Sequence, residues 1–168
     1  TTSKMKYRDG YEPLLQEVYI ADTNIAEIEK LCQGKNIAGI IFEPIAGEGG
    51  YIVQSADFVK GLRRICDQYG VLLIADEVQT GFGRTGKWFA IEHFGVQPDI
   101  ICMAKGMASG FPLGGIAASA ELMSKWSPGA HGSTFGGNPV CCAAAIATAD
   151  VIKKEKLVAN AKKLGIYL

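Results

Sequence analysis

No run of apolar residues in this sequence is long enough to cross a bilayer. The longest, Ile37 to Phe42 and Val71 to Ala75, fall far short of the roughly 20 residues that a spanning helix needs. The polar start at residues 1–4 carries no signal-peptide apolar stretch either, so the expected compartment is cytoplasmic. Charge of one sign is also missing: Lys and Arg number 17, Asp and Glu 17, for a formal net charge of +0. With no basic stripe to neutralise phosphate backbones or anionic lipid, neither nucleic acid nor a membrane surface is an expected partner. The five cysteines, Cys32, Cys66, Cys102, Cys141 and Cys142, are odd in number and include no C-x-x-C pair. That pattern fits neither a disulfide framework nor a zinc site. The two histidines, His93 and His131, stand in no motif that would activate a thiol, and the cysteines are read as small hydrophobes.

What is present is the composition of a soluble core former, 48% apolar and 20% charged over 168 residues. No repeat, low-complexity tract or Pro/Ser linker divides the chain, which reads as alternating strands and helices. Residues 37–42 and 71–75 are short apolar runs that end in acidic residues, as strands buried on both faces of a mostly parallel sheet do. Residues 99–103 and 113–118 are two further strand candidates. Ser55 is a suitable N-cap for a crossover helix carrying Phe58, Leu62, Ile65 and Tyr69 and stopping at Gly70. Asn24 with Glu27 suggests a capping box ahead of Ile25, Ile28 and Leu31, and Asn138-Pro139 marks the start of an Ala- and Cys-rich helix to about Lys153. A last amphipathic stretch, Leu157, Val158, Ala161 and Leu164, runs to the terminus without a C-cap glycine.

In an open α/β sheet, ligands bind beyond the carboxyl ends of the strands. The residues at those ends are Glu43-Pro44 followed by Gly47-Glu48-Gly49-Gly50, then Asp76-Glu77-Val78-Gln79, then Ala104-Lys105-Gly106. Carboxylates and a lysine at three strand ends form a charged crevice that an inert core would not carry. Taken singly, each has a plainer reading: a solvated strand end, a surface lysine, a hairpin turn at G-E-G-G. A metal site at Glu43, Glu48, Asp76 and Glu77 lacks a histidine at ligand spacing and the Asp/Asn-rich loop of a hard-cation cage.

Taken together, IIFEPIAGEGG, LLIADEVQTGFGRTGKWFAIEHFGVQPDIICMAKGM, FPLGG and HGSTFGGNPV resemble, in that order, the signature of class III (omega) pyridoxal-phosphate-dependent aminotransferases. The likeness runs from near the start of the chain to its end. It implies an α/β fold: the large-domain portion of fold-type I pyridoxal-phosphate enzymes, a mostly parallel sheet with flanking helices. Residues 1–153 would belong to that domain and 154–168 would begin the helix leading to a small C-terminal domain. The cofactor would be pyridoxal 5'-phosphate. Lys105 would form the resting Schiff base and carry the proton; Asp76 would pair with the pyridine nitrogen and keep it protonated. Val78, reasoned to lie on the Asp76 side of one strand, would pack on the ring, and Gln79 would bond its phenolate oxygen. Glu43 and Glu48 resemble the substrate-side glutamates. Thr134 matches a threonine that reaches the phosphate across a homodimer interface. Small-molecule amines and 2-oxoacids would be the substrates, with an ω-amino donor such as 4-aminobutyrate. An acetylornithine or ornithine aminotransferase and an amino-acid racemase are the family alternatives, and an inactive truncated fragment is the alternative from outside it. The phosphate-cradling loop, the aromatic residue stacked on the ring and the carboxylate-binding arginine are expected outside this segment.

Overall fold

In the computed structural model, which describes residues 4–168, the four expected strands form one sheet. The polar start at residues 1–3 lies outside the described residues. Strand β1 (Gly39–Phe42) is followed by a small antiparallel ribbon of β2 (Ile45–Ala46) and β3 (Ile52–Val53). Strands β4 (Leu72–Asp76), β5 (Ile100–Met103) and β6 (Gly115–Ala118) complete the main sheet in the order β1-β4-β5-β6. The pairs β1·β4 and β4·β5 are parallel, and β6 runs antiparallel along β5 at the edge. Among the described residues five α-helices accompany them: α1 (Ile25–Gly34), α2 (Ala56–Tyr69), the short α3 (Ala120–Met123), α4 (Pro139–Lys154) and α5 (Leu157–Tyr167).

The helix boundaries follow local chemistry. Asn24 Oδ1 accepts from the backbone N–H groups of Ala26 at 3.0 Å and Glu27 at 3.3 Å, opening α1. The box is half made, because the Asn24 N–H donates to the Asp22 carbonyl and not to Glu27. Ser55 Oγ accepts from Phe58 N at 3.1 Å to open α2, and Gly70, at φ 66°, closes it in the left-handed region. Asn138 Oδ1 accepts from Cys141 N at 2.9 Å, with Pro139 in the first turn of α4.

The core lies on one face of the sheet. Leu62, Ile65 and Cys66 of α2 pack with Ile28 of α1 and Leu73 of β4, while Val59 and Ala75 meet Ile91 and Phe94 of the 3-10 turn Ala90–Phe94. Each fully buried Leu or Ile contributes about 1.5–3 kcal/mol relative to an exposed one. The helices approach closely because Gly61 has no side chain: a Cβ there would stand 2.7 Å from Ile25 Cδ1. Two-sided burial of β4 was the expectation, and the structure differs. Leu73 and Ala75 are fully buried, whereas Leu72 and Ile74 are half-buried, because α1 and α2 cover the same face. The cysteines are all free. Cys66 and Cys141 are buried, and Cys32, Cys102 and Cys142 are partly so. No helix among the described residues is long and apolar enough to cross a membrane.

Candidate active site at the strand ends

The parallel register brings three chain segments to one end of the sheet. Phe42, the last residue of β1, pairs with Ala75, and Asp76, the last of β4, pairs with Cys102 of β5. Glu43, Asp76 and the Lys105 turn therefore emerge side by side. The Lys105 amine donates a hydrogen bond to Gln79 Oε1, joining the loops after β4 and β5. Gln79 in turn stands against the first loop, where a Cβ on Gly47 would lie 3.2 Å from Gln79 Cγ. Glu43 Oε2 accepts from Gly47 N at 2.8 Å, which ties Glu43 to the loop that passes beside Gln79. Asp76 is half-buried. Its Oδ1 accepts from Val78 N at 3.0 Å, and its other oxygen makes no hydrogen bond among the described residues. Its charge is felt next door: burial, and then the Asp76 carboxylate, push the Cys102 thiol above its ordinary range.

The backbone at the lysine is strained. Lys105 has φ 44° and opens a 3-10 turn, Lys105–Ala108, that ends at Ser109 with φ 49°. Each left-handed non-glycine residue costs roughly 1–2 kcal/mol. The turn is held by Met107 N donating to the Ala104 carbonyl at 3.0 Å and Phe111 N to that of Ala108 at 3.1 Å, with Ala108 fully buried. Strain of this kind concentrates at functional sites.

The remaining expected residues are placed as follows. Glu48 is exposed at the tip of the Gly47–Gly50 turn between β2 and β3, so the hairpin reading of G-E-G-G holds there. Thr134 is exposed in the segment between α3 and α4 and bonds no crevice residue of its own chain among those described. The argument from strand alternation does not extend to Val78. Strand β4 ends at Asp76, whose carboxylate folds back onto the Val78 N–H, and Val78 and Gln79 belong to the turn that follows. Glu77 belongs to no metal-binding cluster among the described residues. Glu77 is instead fully buried. Its carboxylate takes the Thr80 hydroxyl, Ala90 N at 3.0 Å and Ile91 N at 2.7 Å, anchoring the next turn of chain. A carboxylate among the apolar residues of a strand end was the available signal.

Comparison with known proteins settles the family. A family model described as Aminotransferase class-III matches residues 1–168. This chain belongs to the class III aminotransferase family. An acetylornithine aminotransferase of Archaeoglobus fulgidus is 47% identical over 99% of this chain and 44% of its own length. A 5-aminovalerate aminotransferase of Pseudomonas aeruginosa is 48% identical over 86% of this chain and 35% of its own. Among solved structures, an ornithine aminotransferase from Toxoplasma gondii, reported with partial occupancy of pyridoxal phosphate, superimposes with TM-score 0.93 at 36% identity, covering 98% of this chain and 39% of that one. The chain thus spans less than half the length of these relatives. Class III aminotransferases depend on pyridoxal phosphate, and the fold seen here is theirs. The residues present suit that group: an amine, a carboxylate with one oxygen unbonded among the described residues, and an amide oxygen lie at and just beyond adjacent strand ends.

Proposed function

We propose that the protein carrying this chain moves a terminal amino group from an ω-amino acid to a 2-oxoacid, with Lys105 as the residue that holds pyridoxal phosphate. The observation that carries the reading is the Lys105–Gln79 contact, on strand ends also occupied by Asp76 and Glu43. When bound, pyridoxal phosphate supplies an aldehyde that condenses with amines and a ring that takes up the electron pair of a broken Cα–H bond.

The residues of this chain do the rest. Lys105 provides the amine, and once freed by an incoming substrate it carries a proton to and from the substrate Cα. Asp76, whose carboxylate is held by the Val78 N–H, would supply a negative charge to the ring nitrogen of the bound group. Gln79 supplies a polar contact beside the Lys105 amine, and Val78 borders the same turn. Glu43, oriented by Gly47 N, and the exposed Glu48 flank the substrate side. Thr134, exposed between α3 and α4, would serve the phosphate of a partner subunit, and this reading takes the assembly to be a homodimer. On this reading the described residues as far as 153 belong to the cofactor domain and 154–168 lead toward a second one.

For the amine donor, 4-aminobutyrate is one candidate. The relatives favour a second: the acetylornithine, 5-aminovalerate and ornithine that they are named for share a terminal amine on a five-carbon chain. Replacing Lys105 by Ala in the complete protein should abolish the visible absorption of the lysine-bound cofactor while leaving the fold intact by circular dichroism. An unchanged band would remove Lys105 from the role. Glutamate formed from 2-oxoglutarate with each amine in turn ranks the donors, and a lead for 4-aminobutyrate would refute the five-carbon preference.

A further inference from the structure

Between the Lys105 turn and helix α4 lies a hydroxyl contact that the proposed chemistry does not use. Helix α4 packs directly on the turn, and Thr148 Oγ1 stands 3.0 Å from Ser109 Oγ and 2.8 Å from the Ala144 carbonyl oxygen. A threonine hydroxyl has one proton. Donated to the Ala144 carbonyl, it leaves the oxygen free to accept from the Ser109 hydroxyl, so the two bonds run in series from Ser109 through Thr148 into the α4 backbone. Among the described residues this is the one side-chain hydrogen bond that joins α4 to the segment Lys105–Phe111.

Its position is what gives it significance. Lys105 and Ser109 are the two left-handed residues that bracket the 3-10 turn, at φ 44° and 49°. The apolar side chain of Ala108, fully buried, fixes how deep the turn sits but not its rotation. A bond at Ser109 does fix rotation, because with one end of a four-residue turn tied to a helix, the direction in which the other end launches the Lys105 side chain is set too. We propose that Ser109 and Thr148 are positioning residues for Lys105, clamping its turn to α4 so that the exposed amine is held toward Gln79. This rests on the reading of Lys105 as the cofactor-bearing amine.

The test follows the amine itself and not turnover. The complete protein carrying this chain is stripped of cofactor and mixed with pyridoxal phosphate, which condenses on lysine amines with loss of water. Borohydride then reduces the C=N bond at timed intervals, and adduct at each lysine is counted by peptide mass. Thr148→Val keeps the shape and removes the hydroxyl, and should slow adduct formation at Lys105 about fivefold to tenfold, the loss expected for one hydrogen bond, with other lysines unchanged. Ser109→Ala should do the same, the double variant should be no slower than either single one, and Thr148→Ser should return to within about twofold of the wild type. Wild-type rates in both single variants, or a Ser variant as slow as the Val one, overturn the proposal. Should Thr148→Val fail to fold, Ser109→Ala decides alone, since it alters an exposed side chain. A wild type with no preference for Lys105 removes the functional reading, and this inference with it.

Discussion

Replacing Glu77 by Gln should destabilise the fold by about 2–4 kcal/mol, a large share of the roughly 5–15 kcal/mol that holds a domain together. The Glu77 carboxylate is fully buried and accepts three hydrogen bonds, from the Thr80 hydroxyl and from the N–H groups of Ala90 and Ile91 at 3.0 and 2.7 Å. Ala90 and Ile91 are 0% and 3% exposed, so water cannot replace the lost partner. Hydrogen bonds to a charged group contribute about 1.5–3 kcal/mol each, and a buried donor left unpaired costs about 1–3 kcal/mol. Glutamine keeps one accepting oxygen but sets an NH2 group against one or two donors. Alanine loses all three bonds and should leave little folded protein. Urea unfolding followed by circular dichroism checks this. With a slope of about 2 kcal/mol per molar, the Gln variant should unfold roughly 1–2 M earlier. A midpoint within about 0.3 M of the wild type would mean that the three bonds are not the anchor of residues 90–94 described above.

Asp76→Asn in the complete protein should leave cofactor bound and slow the single-turnover half-reaction by at least about a thousandfold, since a preorganised charge partner for the ring nitrogen is worth several kcal/mol; a rate within tenfold would mean that another group serves the ring nitrogen. Gly86→Ala should destabilise by about 2 kcal/mol or more in thermal melts, because its φ is +80° and the new Cβ would lie 2.8 Å from Lys162 Cβ and 2.9 Å from its Cα on α5; an unchanged melting temperature would contradict that packing. Burial pushes the Cys66 thiol from 9.0 up to about 12. The unfolded chain therefore sheds this proton first, and the stability due to the buried neutral thiol, fully present below pH 9, is lost as pH rises from about 9 toward 12. Urea midpoints measured across that range should fall, and should fall less in Cys66→Ala; equal slopes would refute the assignment.

Local chemistry alone was enough to locate most elements. Asn24, Ser55 and Asn138 cap the helices that their sequence context announces, because a capping side chain bonds an N–H only two or three residues away. The strand-end residues Glu43, Asp76 and Lys105 were legible for a related reason: buried parallel strands are unbroken apolar runs, and polar residues mark where they stop. Long-range arrangement was not legible in this way. That only one face of β4 is fully covered depends on α1 and α2 choosing the same side, a matter of packing between segments distant in sequence.

The sequence by itself determined the α/β alternation, the three loops that carry the chemistry and, through its motifs, the class III aminotransferase resemblance. Only the tertiary structure decided which loop residues meet. Nothing in the order of residues says that Lys105 bonds Gln79, 26 positions earlier, that Glu77 is sealed inside while Asp76 beside it stays half-open, or that Ser109 is tied to Thr148, 39 positions on. The physical reason is range. Periodicity and capping act over a turn or two of chain, whereas the direction of a side chain in a loop is set by whatever the fold brings against it.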